Sequence, residues 1–451
     1  MAASELPGNI VEPAVAPGRV AGLGHLPRLV RDPFGFFLSL AELGDVVTIL
    51  IGRKPVHLIT TPRLVRSVLL AGGEVYRRGR VFEKATKTFG GGVIVAEGEA
   101  HRRQRRLMQP AFGRHRIASY VPEMRAAVER GVAKWRPGMV LDIPRVTHEM
   151  AVDSLVHSLF KADLGTGAAE RIMGAFPGVV SGIMAHTLYP ADWMERLPLG
   201  VNRRYQKSSD EVRAVVDDVV ARSAGSDSAE ASLLNVLLKA HEQGDGYDEA
   251  LLRDEIVTLL IAGSETVATT LAWVLHEIAG HPAVEREVVD ELTAELDDAP
   301  VQPSDLARLP VLDRVIKEAL RLHTPNWLLT RRTTEPTTLG GYRIPAGAEV
   351  GFSLTALHRD PRVFDSPQAF EPDRWLDDNL AGFSSDAFLP FGVGRHRCPG
   401  DTFAWAELGV AVATILRDWR LAHKPGAKVR ELPMVTVQPS GLRMVVQRRP
   451  L

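Results

Sequence analysis

Phe391-Gly-Val-Gly-Arg-His-Arg-Cys-Pro-Gly400 contains Cys398, the only cysteine among the 451 residues, and leads directly into an apolar segment. A lone cysteine is ordinarily a small buried hydrophobic residue, so any other role must be argued from its surroundings. The two glycines before it allow a tight backbone turn, and Pro399 suits the first turn of a helix. The N-terminus of that helix would favour a thiolate. The pattern therefore predicts a thiolate that can bind a soft metal.

This segment resembles the haem-binding signature of the cytochrome P450 superfamily. Each position of the signature is filled here, by Phe391, Gly392, Gly394, His396, Cys398 and Gly400. The resemblance implies that Cys398 is the axial thiolate of haem b, with Phe391, Gly392 and Gly400 forming the turn around the cofactor. Such a ligand pushes electron density onto iron and favours cleavage of the O–O bond. A zinc site would need further Cys or His ligands at short spacing, and covalent haem attachment would need Cys-x-x-Cys-His. The sequence contains neither pattern around Cys398.

A long apolar helix is predicted from about Glu249 to Ala279, ended by Gly280-His-Pro282. The polar segment Ala262-Gly-Ser-Glu-Thr266 interrupts it, which alone could be a surface stripe with one glycine. The segment is similar to the oxygen-activation motif of the same family. That resemblance implies that Thr266 hydrogen-bonds bound dioxygen and that Glu265 relays protons to it. It also places Ala262 against the cofactor and makes Gly263 the residue that leaves room beside the iron.

A third family motif is Lys317-Glu-Ala-Leu-Arg321, in which Glu318 and Arg321 are neighbours on one helix face. Alone, such a pair is usually solvated and contributes little to stability. The family pairs it with a later arginine, which here is Arg374 in Phe370-Glu-Pro-Asp-Arg-Trp375. The resemblance implies a buried structural triad that shapes the loop before Cys398.

Basic residues stand where the family binds the haem propionates. His101 and Arg105 are four residues apart on one predicted helix face, and Arg331 and His396 match the remaining contacts, with Arg332 competing for the place of Arg331. The alternative for the run His101-Arg-Arg-Gln-Arg-Arg106 is a solvated face or a nucleic-acid patch. The run is short and the net charge is only −1, so propionate binding is favoured and nucleic acid is not an expected partner.

The chain is predicted to be mainly α-helical with a small β part. Helical spacing of apolar residues dominates from about 116 to 322, and strands are expected at 46–51, 56–59 and 442–447. A hairpin is expected in 339–348, and the resemblance places it in the main sheet. The family fold is a triangular helical prism with haem between the long helix and the helix after Cys398. It implies an extended N-terminal segment, 1–31, and one domain, 32–451.

The expected setting is a cytoplasmic enzyme that receives electrons from other proteins. The N-terminus has no apolar run long enough to span a membrane, so no membrane anchor is expected, and one cysteine allows no internal disulfide. The family resemblance implies O2 as co-substrate and a ferredoxin with its reductase as partners. Arg102, Arg103, Arg106, Arg395 and Arg397 would form the basic docking face for an acidic ferredoxin. A monomer is expected.

The predicted activity is monooxygenation of a hydrophobic small molecule. The family fold places Trp327, Leu328, Leu329 and Leu259 near the substrate, although these residues could equally be plain core. The segment 324–332 is similar in style to actinobacterial sesquiterpene oxidases, which favours a terpenoid of secondary metabolism. Fatty-acyl or polyketide oxidation, a peroxide-driven or rearranging haem-thiolate enzyme and a non-enzymatic haem sensor remain as alternatives.

Overall fold

The computed structural model describes residues 10–161, 167–223, 232–243, 247–297, 299–380, 384 and 386–449. The α-helices in these ranges are α1 (Leu26–Arg31), α2 (Pro33–Leu40), α3 (Pro62–Leu70), α4 (Arg80–Phe89), α5 (Gly98–Met108), α6 (Arg114–Val132), α7 (Ile143–Leu155), α8 (Ala168–Leu188), α9 (Gly200–Ser223), α10 (Leu233–Glu242), α11 (Glu249–Gly280), α12 (Pro282–Leu296), α13 (Pro310–Leu322), α14 (Leu354–His358) and α15 (Asp401–Asp418). A π-helical turn, Val156–Phe160, continues α7.

The strands are shorter and fewer. They are β1 (Ala14–Val15), β2 (Val46–Ile51), β3 (Lys54–Ile59), β4 (Tyr76–Arg78), β5 (Val140–Asp142), β6 (Leu328–Thr333), β7 (Thr337–Leu339), β8 (Tyr342–Ile344), β9 (Glu349–Ser353), β10 (Trp419–His423), β11 (Arg430–Pro433), β12 (Val437–Ser440) and β13 (Arg443–Arg448). The main sheet has the order β1-β2-β3-β9-β6-β4, and β10-β13-β5, β11-β12 and β7-β8 form smaller sheets. The predicted α-rich fold with a small β part is confirmed.

Helix α11 lies at the centre of the largest hydrophobic core. At about 1.5 Å per residue its 32 residues span about 48 Å, enough to cross the whole molecule. Within the described ranges, it is the helix that is long and apolar enough to cross a membrane, but 83% of its most apolar window is buried inside the protein. Its hydrophobicity on all sides therefore reflects packing in the protein core.

The main sheet brings two distant arginines side by side. Strand β6 pairs with β9 on one edge and with the short strand β4 on the other, and the β4–β6 register sets Arg78 opposite Arg331. Strand β9 is buried along its whole length, which fixes this part of the sheet in the core. The strand pairing therefore places Arg78 next to Arg331, and the sequence alone did not reveal this contact.

The predicted hairpin forms, but it lies outside the main sheet. Strands β7 and β8 pair only with each other as a two-stranded sheet, joined by Gly340 and Gly341, which both have positive φ. Strand β9, which follows the turn at 345–347, enters the main sheet between β3 and β6. The assignment of this hairpin to the main sheet was therefore wrong, because the turn sends the following strand there instead.

The N-terminal segment is attached to the domain at several points. Strand β1 pairs in parallel with β2, and the fully buried His25 contacts the carbonyl oxygen of Ala16 through Nε2 and accepts from Leu50 N–H through Nδ1. Residues 26–31 form helix α1, which differs from the extended conformation expected there. The helix begins with a proline in its first turn and buries Leu29 against the core.

Candidate active site

The segment Phe391–Gly400, called the cysteine loop below, is a tight turn in front of α15. Gly392 and Gly394 have φ of +66° and +74°, a region that other residues rarely adopt. A Cβ on Gly394 would lie 2.7 Å from the carbonyl oxygen of Leu69 in α3, so the loop is also too close to α3 for a side chain there. The backbone N–H of Cys398 donates to the carbonyl oxygen of Phe391 at 2.9 Å and closes the turn.

The Cys398 thiol lies in a desolvated position at the start of α15. Burial is the main reason that the pKa of the thiol is raised to about 11, and the carboxylate of Asp401 contributes to the same shift. The backbone N–H of Gly400 and the cations of Arg105 and Arg397 oppose this shift. The sequence predicted that the helix N-terminus would favour a thiolate, but burial outweighs that effect. The thiolate therefore depends on a bound cation such as iron, which displaces the proton.

Four basic residues meet at the cysteine loop, and we call them the cation cluster: Arg78, His101, Arg331 and His396. The rings of His101 and His396 lie 4.5 Å apart, and Nε2 of His396 is buried with no hydrogen-bond partner. Arg331 is 4% exposed, and its guanidinium donates to the carbonyl oxygen of Thr330 at 2.9 Å. The sequence predicted three of these residues, and the β4–β6 pairing adds Arg78.

The electrostatics of the cation cluster are unfavourable among the protein groups alone. Burial lowers the pKa of Arg78 to about 9 and that of Arg331 to about 10, and Arg331 also lowers the pKa of Arg78. Burial and the neighbouring arginines lower the pKa of His101 to about 4, and they hold the pKa of His396 still lower. Glu97 opposes the shifts of both arginines. Two mutually repelling buried guanidinium groups, with two neutral imidazoles beside them, are suited to binding anions.

Arg105 and Arg332, the two other residues considered as propionate contacts, lie in different environments. Arg105 on α5 donates to the carbonyl oxygen of Arg397 at 2.6 Å, so it holds the backbone of the cysteine loop directly. Arg332, which competed with Arg331 in the sequence, is 41% exposed and forms ion pairs with Glu83 at 3.0 Å and Glu349 at 3.2 Å. The strand alternation of β6 therefore resolves the competition in favour of Arg331.

The polar segment of α11 lies in the interior, as predicted from its resemblance to the oxygen-activation motif. The hydroxyl groups of Ser264, Thr266 and Thr270 each donate to the carbonyl oxygen four residues earlier, at 2.5, 2.9 and 2.8 Å. Such bonds divert the helix backbone and bend it locally. The Thr266 hydroxyl donates to the carbonyl oxygen of Ala262, so this bond joins two residues of the predicted oxygen-activation motif.

Glu265 is a buried carboxylate anchored by one of its two oxygens. Its Oε1 accepts from Thr436 Oγ1 at 2.7 Å and from Gln438 Nε2 at 2.6 Å. Its Oε2 is buried without a hydrogen bond and lies 3.5 Å from Nε2 of His148 on α7. The side chain therefore faces a buried polar network, not the open surface.

Gly263 lies where α11 packs closely on α7. A Cβ at this position would lie 2.4 Å from Cδ1 of Leu155, well inside contact distance. This packing role was not predicted, because the sequence analysis considered only the space that the glycine leaves beside the iron. That second role stays a prediction.

The predicted triad is a completely satisfied buried network, called the brace below. Glu318 and Arg321 are both 0% exposed and form a bidentate pair at 2.9 and 2.8 Å. Arg374 donates to Glu318 at 3.3 Å, and the indole of Trp375 donates to it at 2.9 Å. The other guanidinium donors of Arg321 bind three backbone carbonyl oxygens of the chain that leads to the cysteine loop, those of His358, Pro367 and Ala369.

A buried histidine carries the brace onward to the cysteine loop. His358 Nε2 accepts from the backbone N–H of Leu389 at 3.1 Å, two residues before the loop begins. Its Nδ1 must therefore hold the proton and donate to Thr324 Oγ1 at 2.6 Å. Burial and the Arg321 cation lower the pKa of His358 to about 3, which keeps this arrangement neutral and fixed.

Comparison with known proteins places this geometry in a family. The family model described as Cytochrome P450 matches residues 17–445. The chain is 38% identical to the cyclooctat-9-en-7-ol 5-monooxygenase of Streptomyces melanosporofaciens, over 96% of this chain and 95% of that protein. It is 35% identical to the pentalenene oxygenase of Streptomyces avermitilis, over 96% and 97%.

The chain is a cytochrome P450. Its fold is also that of the crystal structure of the cytochrome P450DA heme domain, with a TM-score of 0.86 at 23% identity, covering 98% of this chain and 99% of that one. As a P450, the protein is a haem-thiolate monooxygenase that uses O2, a hydrophobic substrate and redox partners.

The residues of this P450 fit a haem group. Cys398 is the single thiol able to ligate iron, and the cation cluster offers a buried histidine nitrogen and two buried guanidinium groups to the two propionates. When bound, haem with a thiolate ligand supplies the electron-transfer chemistry that reduces dioxygen. The chain itself supplies the anchor on one face and the polar groups of Glu265 and Thr266 on α11.

The residues predicted to lie near the substrate of the P450 differ in their burial and packing. Trp327 packs edge-on against Phe34 and Phe37, with ring centroids 5.4 and 6.0 Å away, and its Nε1 donates to Met434 O at 2.6 Å. It is therefore a core residue, the alternative that the sequence left open. Leu328 and Leu329 are partly buried at the start of β6, and Leu259 on α11 is 7% exposed.

Sequence reasoning missed four polar residues that complete this site. Arg78 joins the cation cluster through strand pairing, His358 links the brace to the cysteine loop, and Thr436 and Gln438 anchor Glu265 from β12 and the residue before it. Each is far in sequence from the motif that it supports. A signal existed only for Arg78, which belongs to the basic run Arg77-Arg-Gly-Arg80.

Proposed function

We propose that this P450 hydroxylates or otherwise oxidises a terpenoid of secondary metabolism. The observation that carries the proposal is the similarity, over nearly the whole chain, to two Streptomyces oxygenases whose names give terpenoid substrates. The proposal assigns Leu259, Leu328 and Leu329 to an apolar wall of the substrate site, which would offer no charged group, whereas a fatty acid would need a partner for its carboxylate. Trp327 is left out of this wall because it packs in the core.

The cofactor in this proposal is haem b, held by Cys398 and the cation cluster. Haem b has two free propionates and no covalent link to protein, which matches a single ligand cysteine and a buried cationic site. His101, Arg331 and His396 bind the propionates, Arg78 adds to their positive field, and Arg105 braces the loop backbone. Phe391, Gly392, Gly400 and Ala262 lie next to the macrocycle.

Thr266 and Glu265 deliver protons in this reaction. The Thr266 hydroxyl is a short polar group in an otherwise apolar stretch of α11, able to exchange its bond to Ala262 O for one to bound dioxygen. Glu265 supplies protons from the buried network behind it. Gly263 keeps space beside the iron in addition to its packing role.

Electrons come from a ferredoxin and its reductase. Arg102, Arg103, Arg106, Arg395 and Arg397 are all exposed around the cysteine loop and α5, which supports docking of an acidic partner. Arg102 and Arg397 are partly neutralised by Glu99 at 2.5 Å and Asp401 at 2.5 Å. The positive charge of this face steers the partner, and the association rate falls as salt rises. The enzyme works as a cytoplasmic monomer.

Two measurements test the proposal in order. The ferrous protein with carbon monoxide is expected to show the red-shifted band of a thiolate-ligated haem, and Cys398→Ser is expected to lose it. Cyclic sesquiterpenes and diterpenes, fatty acids and macrolides are then compared by spin-state titration and by product analysis with a ferredoxin system. Binding and oxidation of a fatty acid or macrolide, with no terpenoid bound, would reject the terpenoid assignment while leaving the P450 chemistry intact.

The peroxide-driven alternative is tested with Thr266→Ala. With O2 and ferredoxin, this variant is expected to divert electrons to hydrogen peroxide, since the hydroxyl that guides proton delivery is gone. Hydrogen peroxide already carries its protons, so peroxide-supported turnover is expected to persist. Wild-type turnover with peroxide alone, at the ferredoxin-supported rate and equal in Thr266→Ala, would favour the alternative.

A further inference from the structure

We propose that His148 on α7 is the residue that supplies protons to Glu265, as the outer half of a buried imidazole–carboxylate pair. The proposal rests on the role of Glu265 in the proposed function and extends it by one residue. The carrying observation is that two buried polar atoms without hydrogen bonds, His148 Nε2 and Glu265 Oε2, face each other at 3.5 Å.

The two oxygens of Glu265 have different environments. Oε1 accepts from Thr436 and Gln438, and from Thr269 Oγ1 at 3.5 Å, so the side chain is fixed on the side of β12. Oε2 is buried without a hydrogen bond among the described residues, and Nε2 of His148 lies 3.5 Å from it. A carboxylate oxygen buried without a partner is costly, so this oxygen is the one suited to receive a proton.

His148 connects this buried oxygen with the outside. Its Nε2 is buried, but the side chain as a whole keeps 16% of its surface exposed, so its solvent contact lies on other atoms. The ring packs against Phe176 of α8 with centroids 4.4 Å apart, which holds its plane. The 3.5 Å separation is longer than a hydrogen bond and closes with a small ring rotation.

The charges around His148 suit proton transfer in this direction. Burial lowers the pKa of His148, and the Glu265 carboxylate opposes that shift, so the neutral ring readily passes on a proton that it has taken up. Its ring neighbour Phe176 on α8 is uncharged, and Arg145 and Glu149, which are close to it in the sequence of α7, pair with each other on the exposed face at 2.9 Å. Glu265 is therefore the charged group that acts on it.

The step conserves protons and charge. A proton from solvent converts the neutral imidazole of His148 to imidazolium. Its Nε2–H bond then breaks as an O–H bond forms at Glu265 Oε2, which leaves a neutral imidazole and a neutral carboxylic acid. The acid passes this proton on towards Thr266, and the carboxylate returns to its initial charge.

The first test is a histidine titration that is independent of turnover. The haem-loaded protein with selectively ¹³C-labelled histidine is studied by NMR as its diamagnetic ferrous carbon monoxide complex, and His148→Gln assigns the signal. Glu265→Gln is expected to lower the pKa of His148, because it removes the carboxylate that favours the imidazolium. An unchanged His148 titration in Glu265→Gln would overturn the pairing.

The second test compares His148→Gln with His157→Gln as the matched control. His157 continues the same helix, is 43% exposed and bonds to the carbonyl oxygen of Asp153, away from Glu265. With ferredoxin and substrate, His148→Gln is expected to slow coupled product formation by about tenfold or more, to raise the hydrogen peroxide share and to flatten the pH profile. Turnover with added peroxide is expected to stay at the wild-type rate, and His157→Gln to match wild type throughout.

The outcomes separate this proposal from the proposed function. Wild-type coupling and an unchanged pH profile in His148→Gln, together with uncoupling in Glu265→Gln, would overturn the relay through His148 and leave the role of Glu265 standing. Wild-type coupling in both variants would reject proton delivery by Glu265 itself. Equal losses with O2 and with peroxide would show that His148 is structural and would overturn the proposal.

Discussion

The brace and the cation cluster are both buried and charged, yet they differ in how their charges are satisfied. In the brace, the Arg321 guanidinium binds the Glu318 carboxylate and three backbone carbonyl oxygens at 2.8 to 3.0 Å. Among the described residues, His396 Nε2 in the cation cluster has no hydrogen bond and lies 3.9 Å from Glu97 Oε2. The Arg78 and Arg331 guanidinium groups bind backbone carbonyl oxygens and no carboxylate there. The first network is complete within the protein, and the second is complete only with an anion.

This difference distinguishes a structural site from a binding site of similar composition. Removing one partner from the complete network strands a charge in the core, so the cost falls on folding. Removing a cation from the cluster relieves repulsion among protein groups, so the cost falls on the cofactor.

The largest expected effect is on the brace. Glu318→Ala leaves the buried Arg321 cation without its carboxylate, which is expected to cost about 3–5 kcal/mol of unfolding free energy. Urea unfolding of the haem-free protein measures it, with Glu371→Ala as the control because Glu371 is half exposed and pairs only with Arg374 at the rim. A loss of unfolding free energy that occurs only in the haem-loaded protein would contradict a purely structural role of the brace.

The opposite pattern is expected for the cation cluster. Arg331→Met removes a buried guanidinium that donates to a propionate, a charge-assisted bond of about 1.5–3 kcal/mol, which corresponds to about 10- to 100-fold faster haem release. Haem transfer to excess apomyoglobin measures it, and the exposed Arg332→Met is the control. The haem-free variant is expected to be at least as stable as the wild type, and marked destabilisation would place Arg331 with the brace.

A smaller effect is expected where the brace meets the cysteine loop. Thr324→Val removes the acceptor of the buried His358 Nδ1–H and keeps the side-chain shape, at a cost of about 1–3 kcal/mol in urea unfolding. The orientation of His358 also fixes Leu389, so the absorption band of the ferrous carbon monoxide complex is expected to become less stable to heating. Thr355→Val, whose hydroxyl makes a longer bond of 3.3 Å to Thr324 O, is the control, and an equal cost in both variants would argue against the link.

The smallest expected effect is a difference in pH dependence. The pKa of His101 is lowered to about 4 in the fold, so below pH 6.5 the unfolded chain binds a proton that the folded chain does not. The haem-free protein is therefore expected to lose stability as pH falls from 6.5 towards 4, and propionates should reduce this loss by raising the pKa of His101. The lowered pKa of His358 also makes the protein less stable as pH falls, and this contribution is expected to be the same with and without haem.

Urea unfolding at pH 7 and pH 5 measures the effect in both forms of the protein. His101→Gln is expected to reduce the difference between them, with His396 still contributing to it, and the exposed His115→Gln is expected to preserve it. An identical pH dependence in the haem-free and haem-loaded proteins would contradict the assignment of His101 to the propionate site.

The sequence by itself determined the local motifs and their chemistry. The extent of α11 was predicted to within one residue, β2 was predicted over the residues that form it, and the pairing of Glu318 with Arg321 and Arg374 matches the observed brace. These features depend on helical spacing, strand alternation and motifs of neighbouring residues, all of which are local. The sequence also placed Cys398 just before a helix, and the backbone N–H of Gly400 lowers the thiol pKa as predicted, but the sequence did not reveal that burial outweighs this effect.

The tertiary structure decided which distant side chains meet. The β4–β6 register brought Arg78 to the cation cluster, the fold set Trp327 in the core, and β9 instead of the β7–β8 hairpin entered the main sheet. The packing of α7 on α11 set His148 Nε2 at 3.5 Å from Glu265 Oε2 and brought Leu155 close to Gly263. Burial and long-range contacts set these outcomes, because desolvation and the distance between charges depend on which segments pack together, and local sequence patterns do not contain that information.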